Sequence, residues 1–233
     1  MEAFSDRDSA EAPDHELAVP APPDRDDLRS LLRRVLRTDE AAPARLTSAG
    51  QGRMRVWLRT PFGALASRVL VGTVRSGDVV IGADHLLNEL DLLPPGDREG
   101  AIDPGMQMRS AWSGLLPPAE GFEPVEIVPA QVLLDLAESG RHTASEQAGP
   151  LGLPPSLLDS VALTVGADTD SPVEVDMRVI FALDTAGFIP TRNGRAPDDE
   201  PVRVSTLGPW VRIDARFGTV HRRPESIDLG VIG

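Results

Sequence analysis

The 233-residue sequence contains no cysteine, no tyrosine and no lysine; all 23 of its basic residues are arginine. Each absence removes a class of chemistry. Without cysteine there is no disulfide framework, no thiol nucleophile and no thiolate metal ligand. Without lysine there is no Schiff-base amine, and a phosphate-binding loop ending in GK[ST] cannot be written. Hydrophobic residues make up 41% of the chain and aromatic ones 4%, a modest supply that still permits a core. No apolar run approaches the roughly eighteen residues a membrane-spanning helix needs. The opening Met1-Glu2-Ala3-Phe4 has neither the basic nor the apolar region of a secretory signal. A soluble protein of the cytoplasm is the expectation. Arginine used to the exclusion of lysine, with abundant Ala, Pro and Gly, is what GC-rich coding produces, and needs no functional account.

Charge is laid unevenly along the chain. The net charge is −13. Residues 1–27 sum to −7, residues 28–75 to +8, residues 76–191 to −15 and residues 192–233 to +1. Such segregation favours either attraction between segments of the same chain or a basic surface offered to an anionic partner.

Local patterns divide the sequence into five parts. Residues 1–24 are acidic, poor in large apolar groups and carry Pro20-Ala21-Pro22-Pro23, so they read as a disordered tail. Residues 25–38 form a basic amphipathic helix capped by Asp24: Leu28, Leu31, Leu32, Val35 and Leu36 make one stripe, and Arg29, Arg33 and Arg37 a row beside it. Ala41-Ala42-Pro43 ends that helix, and Ser48 to Gly52 reads as a linker. Residues 53–93 are β-rich. Met54, Val56 and Leu58 alternate with Arg53, Arg55, Trp57 and Arg59, and further strands are expected at 65–71 and 78–82 before a short helix begun by Asp84. Residues 94–121 form a Pro/Gly-rich connector anchored by Trp112. Residues 122–233 alternate short helices and strands: a strand over 125–128, a helix opened by Pro129 and broken near Gly140, a short helix after Pro154, and a strand over 161–165. Ser171-Pro172-Val173-Glu174 predicts a capped helix over 172–186 with Gly187 as its stop. Strands at 202–206, 209–214 and 217–222 close the chain.

The expected fold is therefore α+β, with antiparallel sheet elements near both ends and a helical middle. From 125 to 214 the order of elements resembles a winged helix-turn-helix, with Met177 through Ile189 and Arg192 similar to that family's recognition helix and following turn, and the hairpin 202–214 similar to its wing. The resemblance implies nucleic-acid binding. A second echo is internal: Trp57-Leu58-Arg59 before Phe62-Gly63 is matched by Trp210-Val211-Arg212 before Phe217-Gly218. It suggests a duplicated hairpin.

His15, His85, His142 and His221 are scattered and make no HExxH or H-x-E pattern, so no metal or cofactor is implied. His221, between Val220 and Arg222-Arg223, reads as a surface or binding residue. Asp168-Thr169-Asp170 with Glu174 lacks the glycine and distal glutamate of a calcium loop. Neither G-x-S-x-G nor G-x-G-x-x-G occurs. Three readings remain. The first is a non-catalytic interaction or regulatory module with a protein partner. The second is a nucleic-acid binder using Arg53, Arg55, Trp57 and Arg59 on one strand face, with the helix arginines Arg29, Arg33 and Arg37 and with Arg212 as further candidates. The third is an enzyme without a readable motif, whose mark would be a deep pocket placing a histidine beside carboxylates. No membrane role is expected.

Overall fold

The computed structural model describes residues 16–147, 154–169 and 171–223. The first fifteen residues of the expected tail, with His15 and Asp170, lie outside them. The fold is α+β, and the strands of the described residues pair antiparallel.

In the N-terminal half, β1 (Leu17–Ala18) leads into α1 (Pro22–Leu36), followed by β2 (Pro43–Gly50), β3 (Arg53–Arg59), β4 (Leu65–Val71), β5 (Thr73–Val74), β6 (Asp78–Gly82), α2 (Ala83–Leu92) and β7 (Ala101–Ile102). In the C-terminal half come β8 (Glu123–Pro129), α3 (Ala130–Gln147), α4 (Pro155–Leu158), β9 (Val161–Val165), β10 (Val173–Asp176), α5 (Met177–Ala186), β11 (Pro201–Leu207), β12 (Trp210–Ala215) and β13 (Gly218–Arg222). One eight-stranded sheet, ordered β6-β2-β3-β4-β13-β12-β11-β8, runs through both halves. Its seam is the antiparallel pairing of β4 with β13, where Ala66 faces Val220. Two small sheets, β5-β1-β7 and β10-β9, complete the framework.

The pleat of the large sheet separates two faces. Met54, Val56 and Leu58 of β3 point to a helical layer with Leu46, Ala66, Val204, Ile213 and Val220, all fully or almost fully buried. That layer supplies Leu28, Leu31, Leu32 and Val35 of α1, Leu86 and Leu90 of α2, Leu133 and Ala137 of α3, and Val179, Ile180 and Leu183 of α5. Burial of each of these Leu, Ile and Val side chains stabilises by roughly 1.5–3 kcal/mol. The α1 stripe thus covers the chain's own core. α3 packs on α5 at Gly140, where a Cβ would sit 2.3 Å from Met177 Cε and 2.9 Å from Phe181 Cζ. The glycine there permits a close approach, and α3 runs through it unbroken.

Several boundaries differ from the sequence expectation. β1 lies inside the expected tail because Leu17 and Ala18 pair with both β5 and β7, and α1 starts at Pro22. The expected linker is the tight β2–β3 turn, with Gly50, Gln51 and Gly52 all at positive φ. Pro129 ends β8 instead of opening α3. Val173–Asp176 is a strand, because it pairs with β9, and the helix begins only at Met177. Its cap is then Asp176, whose carboxylate accepts the Val179 N–H at 3.1 Å. Gly187 supplies the left-handed stop as expected. The C-terminal half does not have the shape of a winged helix. α5 buries Met177, Val179, Ile180, Phe181, Ala182, Leu183 and Ala186, leaving no groove-reading face, and β11 and β12 are interior strands of the large sheet.

The two echoed segments occupy matching places. β3 with β4, and β12 with β13, are the hairpins flanking the seam, one from each half. Their tryptophans are not in equivalent positions: Trp57 is the fifth residue of β3, whereas Trp210 opens β12.

Candidate functional site

The face of the sheet away from the helices carries the polar members of the alternation: Arg45 and Thr47 on β2, Arg53, Arg55, Trp57 and Arg59 on β3, Ser67 on β4, Arg212 and Asp214 on β12, and Thr219 and His221 on β13. The connector between the halves crosses this face as a strap. It starts at the free edge of β6, where Met108 N–H donates to the Val80 carbonyl at 2.7 Å and Arg109 donates to the Asp78 carbonyl at 3.3 Å. Trp112 comes next, its ring 5.8 Å from the Arg45 guanidinium. Arg59 donates to the Ser113 carbonyl at 3.1 Å and also bonds its hydroxyl. The strap ends at Phe122, whose ring lies 5.8 Å from His221 and 5.4 Å from the Arg212 guanidinium.

Beneath the strap sits an aromatic floor. Trp57 is 4% exposed and donates its indole N–H to the Thr47 hydroxyl at 3.1 Å. Its ring is 5.3 Å from His221 on one side and 5.2 Å from the Arg55 guanidinium on the other. His221 is 1% exposed, not a surface residue, and its Nδ1 has no partner among the described residues. Burial, and then the charges of Arg212 and Arg55, push its pKa down to about 3, so the ring is neutral at physiological pH. Arg55 is itself lowered from its ordinary value, first by burial and then by Arg212. Arg212 is paired with Asp214 at 2.8 Å.

Where the strap passes the tip of the β3–β4 hairpin, a cleft of about 330 Å³ opens. Arg59, Arg222, Arg223 and His221 supply its polar wall; Leu65, Leu115 and Trp210 supply apolar surface. Among the described residues no carboxylate lines it. Arg222 is fixed by Asp176 at 3.2 Å and by the Gly63 carbonyl at 3.2 Å, so the α5 cap also positions a cleft residue. Leu115 is 69% exposed at the mouth, and Arg223 is exposed. The cleft lies across the seam, drawing walls from both halves.

The structure brings together part of the residue set singled out in the sequence. Arg55, Trp57 and Arg212 meet in the aromatic floor, Arg59 lines the cleft, and Arg53 is exposed on the same face. Trp57 offers no ring face to a stacking base. The α1 row is elsewhere, and two of its three members are occupied: Arg29 and Arg33 both pair with Asp91 of α2 at 3.0 Å. Arg37 is exposed at the helix end. Sequence reasoning missed Arg222, Arg223, Ser113, Leu115 and Phe122. The adjacent arginines after an alternating strand were the available signal for the first two; Trp112 marked the anchor of the strap, but nothing local marked Ser113, Leu115 or Phe122. Of the remaining histidines, His85 bonds the Asp103 carbonyl at 2.9 Å, and His142 lies 3.6 Å from Glu146 on the exposed face of α3. Among the described residues no three His, Asp or Glu gather as a metal site, and no helix is long and apolar enough to cross a membrane.

Residues 12–114 match the model of a domain of unknown function (DUF8010), and residues 117–227 match that of another domain of unknown function (DUF8185). The boundary between the two falls within the strap. No match is found among curated proteins. Among solved structures the chain is similar to the DNA polymerase sliding clamp of Bacillus subtilis, with a TM-score of 0.54 and 12% identity over 89% of this chain and 63% of that one. It is also similar to the DnaN sliding clamp (DNA polymerase III subunit beta) of Bartonella birtlesii bound to griselimycin, at 0.52 and 12% over 90% and 64%. The clamp of Caulobacter crescentus gives 0.52 and 13% over 85% and 63%. The chain spans less than two thirds of the length of each clamp, and the likeness is one of fold.

Proposed function

We propose that the chain is a non-catalytic, cytoplasmic interaction module whose cleft receives an extended segment of a partner protein, one carrying an acidic residue beside aliphatic side chains. The observation that carries this reading is the lining of the cleft. Arg59 and Arg223, with no carboxylate among the described lining residues and only Arg222 paired from behind with Asp176, favour an anionic group, and the Leu65–Leu115–Trp210 surface favours an apolar one. A catalytic reading needs a histidine matched to an acid; His221 faces arginines and rings. The likeness in fold to clamps, which are polymerase subunits, supports a role within a protein assembly.

The test is a titration of short acid-and-leucine peptides into the isotope-labelled full chain. Saturable chemical-shift changes confined to residues 59–65, 113–115 and 221–223 are expected, lost on Arg223→Glu and weakened on Leu115→Ser. Shifts that map elsewhere, or none at all, refute the reading. Parallel titrations with single- and double-stranded DNA decide the alternative: salt-sensitive shifts at Arg53, Arg55, Arg59 and Arg212 would replace the peptide reading with a nucleic-acid one.

A further inference from the structure

The chain itself carries a segment of the chemistry that the cleft favours, and it begins at the cleft wall. β13 ends at Arg222, and Arg222 and Arg223 both line the cleft. Arg222 also donates to the Arg223 carbonyl at 3.1 Å, which holds the last described residue at that wall. The residues that follow, outside the described ones, read Pro224-Glu225-Ser226-Ile227-Asp228-Leu229-Gly230-Val231-Ile232-Gly233. They carry two acids, four aliphatic side chains and no basic group. Pro224 has no N–H with which to prolong the pairing of β13.

We propose that Ile227-Asp228-Leu229 of this C-terminal segment occupies the cleft of its own chain, and that a partner binds by displacing it. The inference rests on the peptide-docking reading of the cleft and names the resident ligand of that same site. In an extended segment Ile227 and Leu229 fall on one side and Asp228 on the other. The cleft offers both complements, Arg59 and Arg223 for the acid and Leu65, Leu115 and Trp210 for the aliphatic pair. Asp228 lies five positions beyond Arg223, a tether that reaches up to about 17 Å when extended. That is ample for a cleft of about 330 Å³ and leaves slack for the chain to turn back into it. The opposite end of the chain is a poorer match: residues 1–15 contain no Leu, Ile or Val. They join the described fold at Glu16, whose carbonyl accepts from the Arg75 N–H, and neither residue lines the cleft. A short tether presents its segment at an effective concentration in the millimolar range. An intrinsic dissociation constant of about 0.1 mM then keeps the segment docked roughly nine-tenths of the time and weakens an outside peptide about tenfold.

The experiment compares the full chain with a variant carrying Asp228→Arg and Leu229→Ser, changes that lie outside every described element. A dye-labelled peptide of residues 224–233 is titrated with each protein and followed by fluorescence anisotropy. The amides of residues 59–65 and 113–115, remote in sequence from the changes, are compared by NMR. The expected result is about tenfold tighter peptide binding by the variant, with those amides displaced from their positions in the parent and returned toward them by the peptide. Equal affinities with unmoved amides overturn the inference and leave the cleft a peptide site. Binding by neither protein removes the docking reading of the cleft, and the inference with it. An amide displacement that fades on dilution of the protein assigns the segment to the cleft of a second copy, which also overturns docking within one chain.

Discussion

Replacing His221 by phenylalanine tests the electrostatics of the aromatic floor directly. In the folded chain the imidazole is buried among Trp57, Phe122 and two guanidiniums, and its pKa is held at about 3. In the unfolded chain it titrates near 6.5. Between those two values the unfolded state binds a proton that the folded state refuses, so stability falls as pH falls. The contribution is fully present above about pH 6.5 and is lost on descent to about pH 3. A tenfold change in protonation is worth about 1.4 kcal/mol, so the full span amounts to on the order of 4–5 kcal/mol, a large part of the stability of an ordinary domain. The assay is chemical denaturation of parent and His221→Phe from pH 8 to pH 3.5. Phenylalanine fits the ring stack and removes a nitrogen without a partner among the described residues, so at neutral pH the variant should be at least as stable as the parent. Carboxylates titrate in both proteins and cancel in the difference. The variant's advantage should therefore grow steadily below about pH 6.5. Parallel curves would refute the reasoning, since they would mean that the buried imidazole does not resist protonation.

Two further substitutions probe how the helical layer and the cleft are held. Gly140→Val places two methyl groups against Met177 and Phe181 at the α3–α5 contact and should cost roughly 1–3 kcal/mol by overpacking, read as a lowered denaturation midpoint with an unchanged m-value. Asp176→Ala removes the cap of α5, worth about 1 kcal/mol. It also releases Arg222, so amide exchange should quicken in the first turn of α5 and peptide binding at the cleft should weaken together.

The sequence was most legible where a single element determines its own pattern. The α1 stripe and the β3 alternation could be read because each periodicity is set by contact with one neighbouring layer. Reading failed where pairing with a distant segment decided the outcome. Ser171-Pro172-Val173-Glu174 has the form of a helix cap, yet Val173 and Val175 are drawn into a strand by Val165 and Leu163, and the true cap moves to Asp176. Trp57 alternates onto the face opposite the core and was expected to be available to a partner. It is buried because His221 closes over it, and Phe122, from the strap, packs against His221 in turn. The cleft could not be read at all, since its walls come from a hairpin tip, a strap and a strand end that no local pattern connects.

The seam has a consequence for how the protein is made. β13 lies far along the chain from β4, and Ala66 must wait for Val220 to be synthesised before the eight strands become one sheet. Closing so long a loop is entropically costly and slow. Until it happens, the N-terminal half presents β4 as a bare edge whose Val69 and Val71 remain exposed even in the finished fold. An unpaired apolar edge of this kind invites pairing with another copy of itself. A nascent chain stalled before β13 is thus the species from which self-association would start, and substitution of Val69 or Val71 by a charged residue would protect it without touching the folded core.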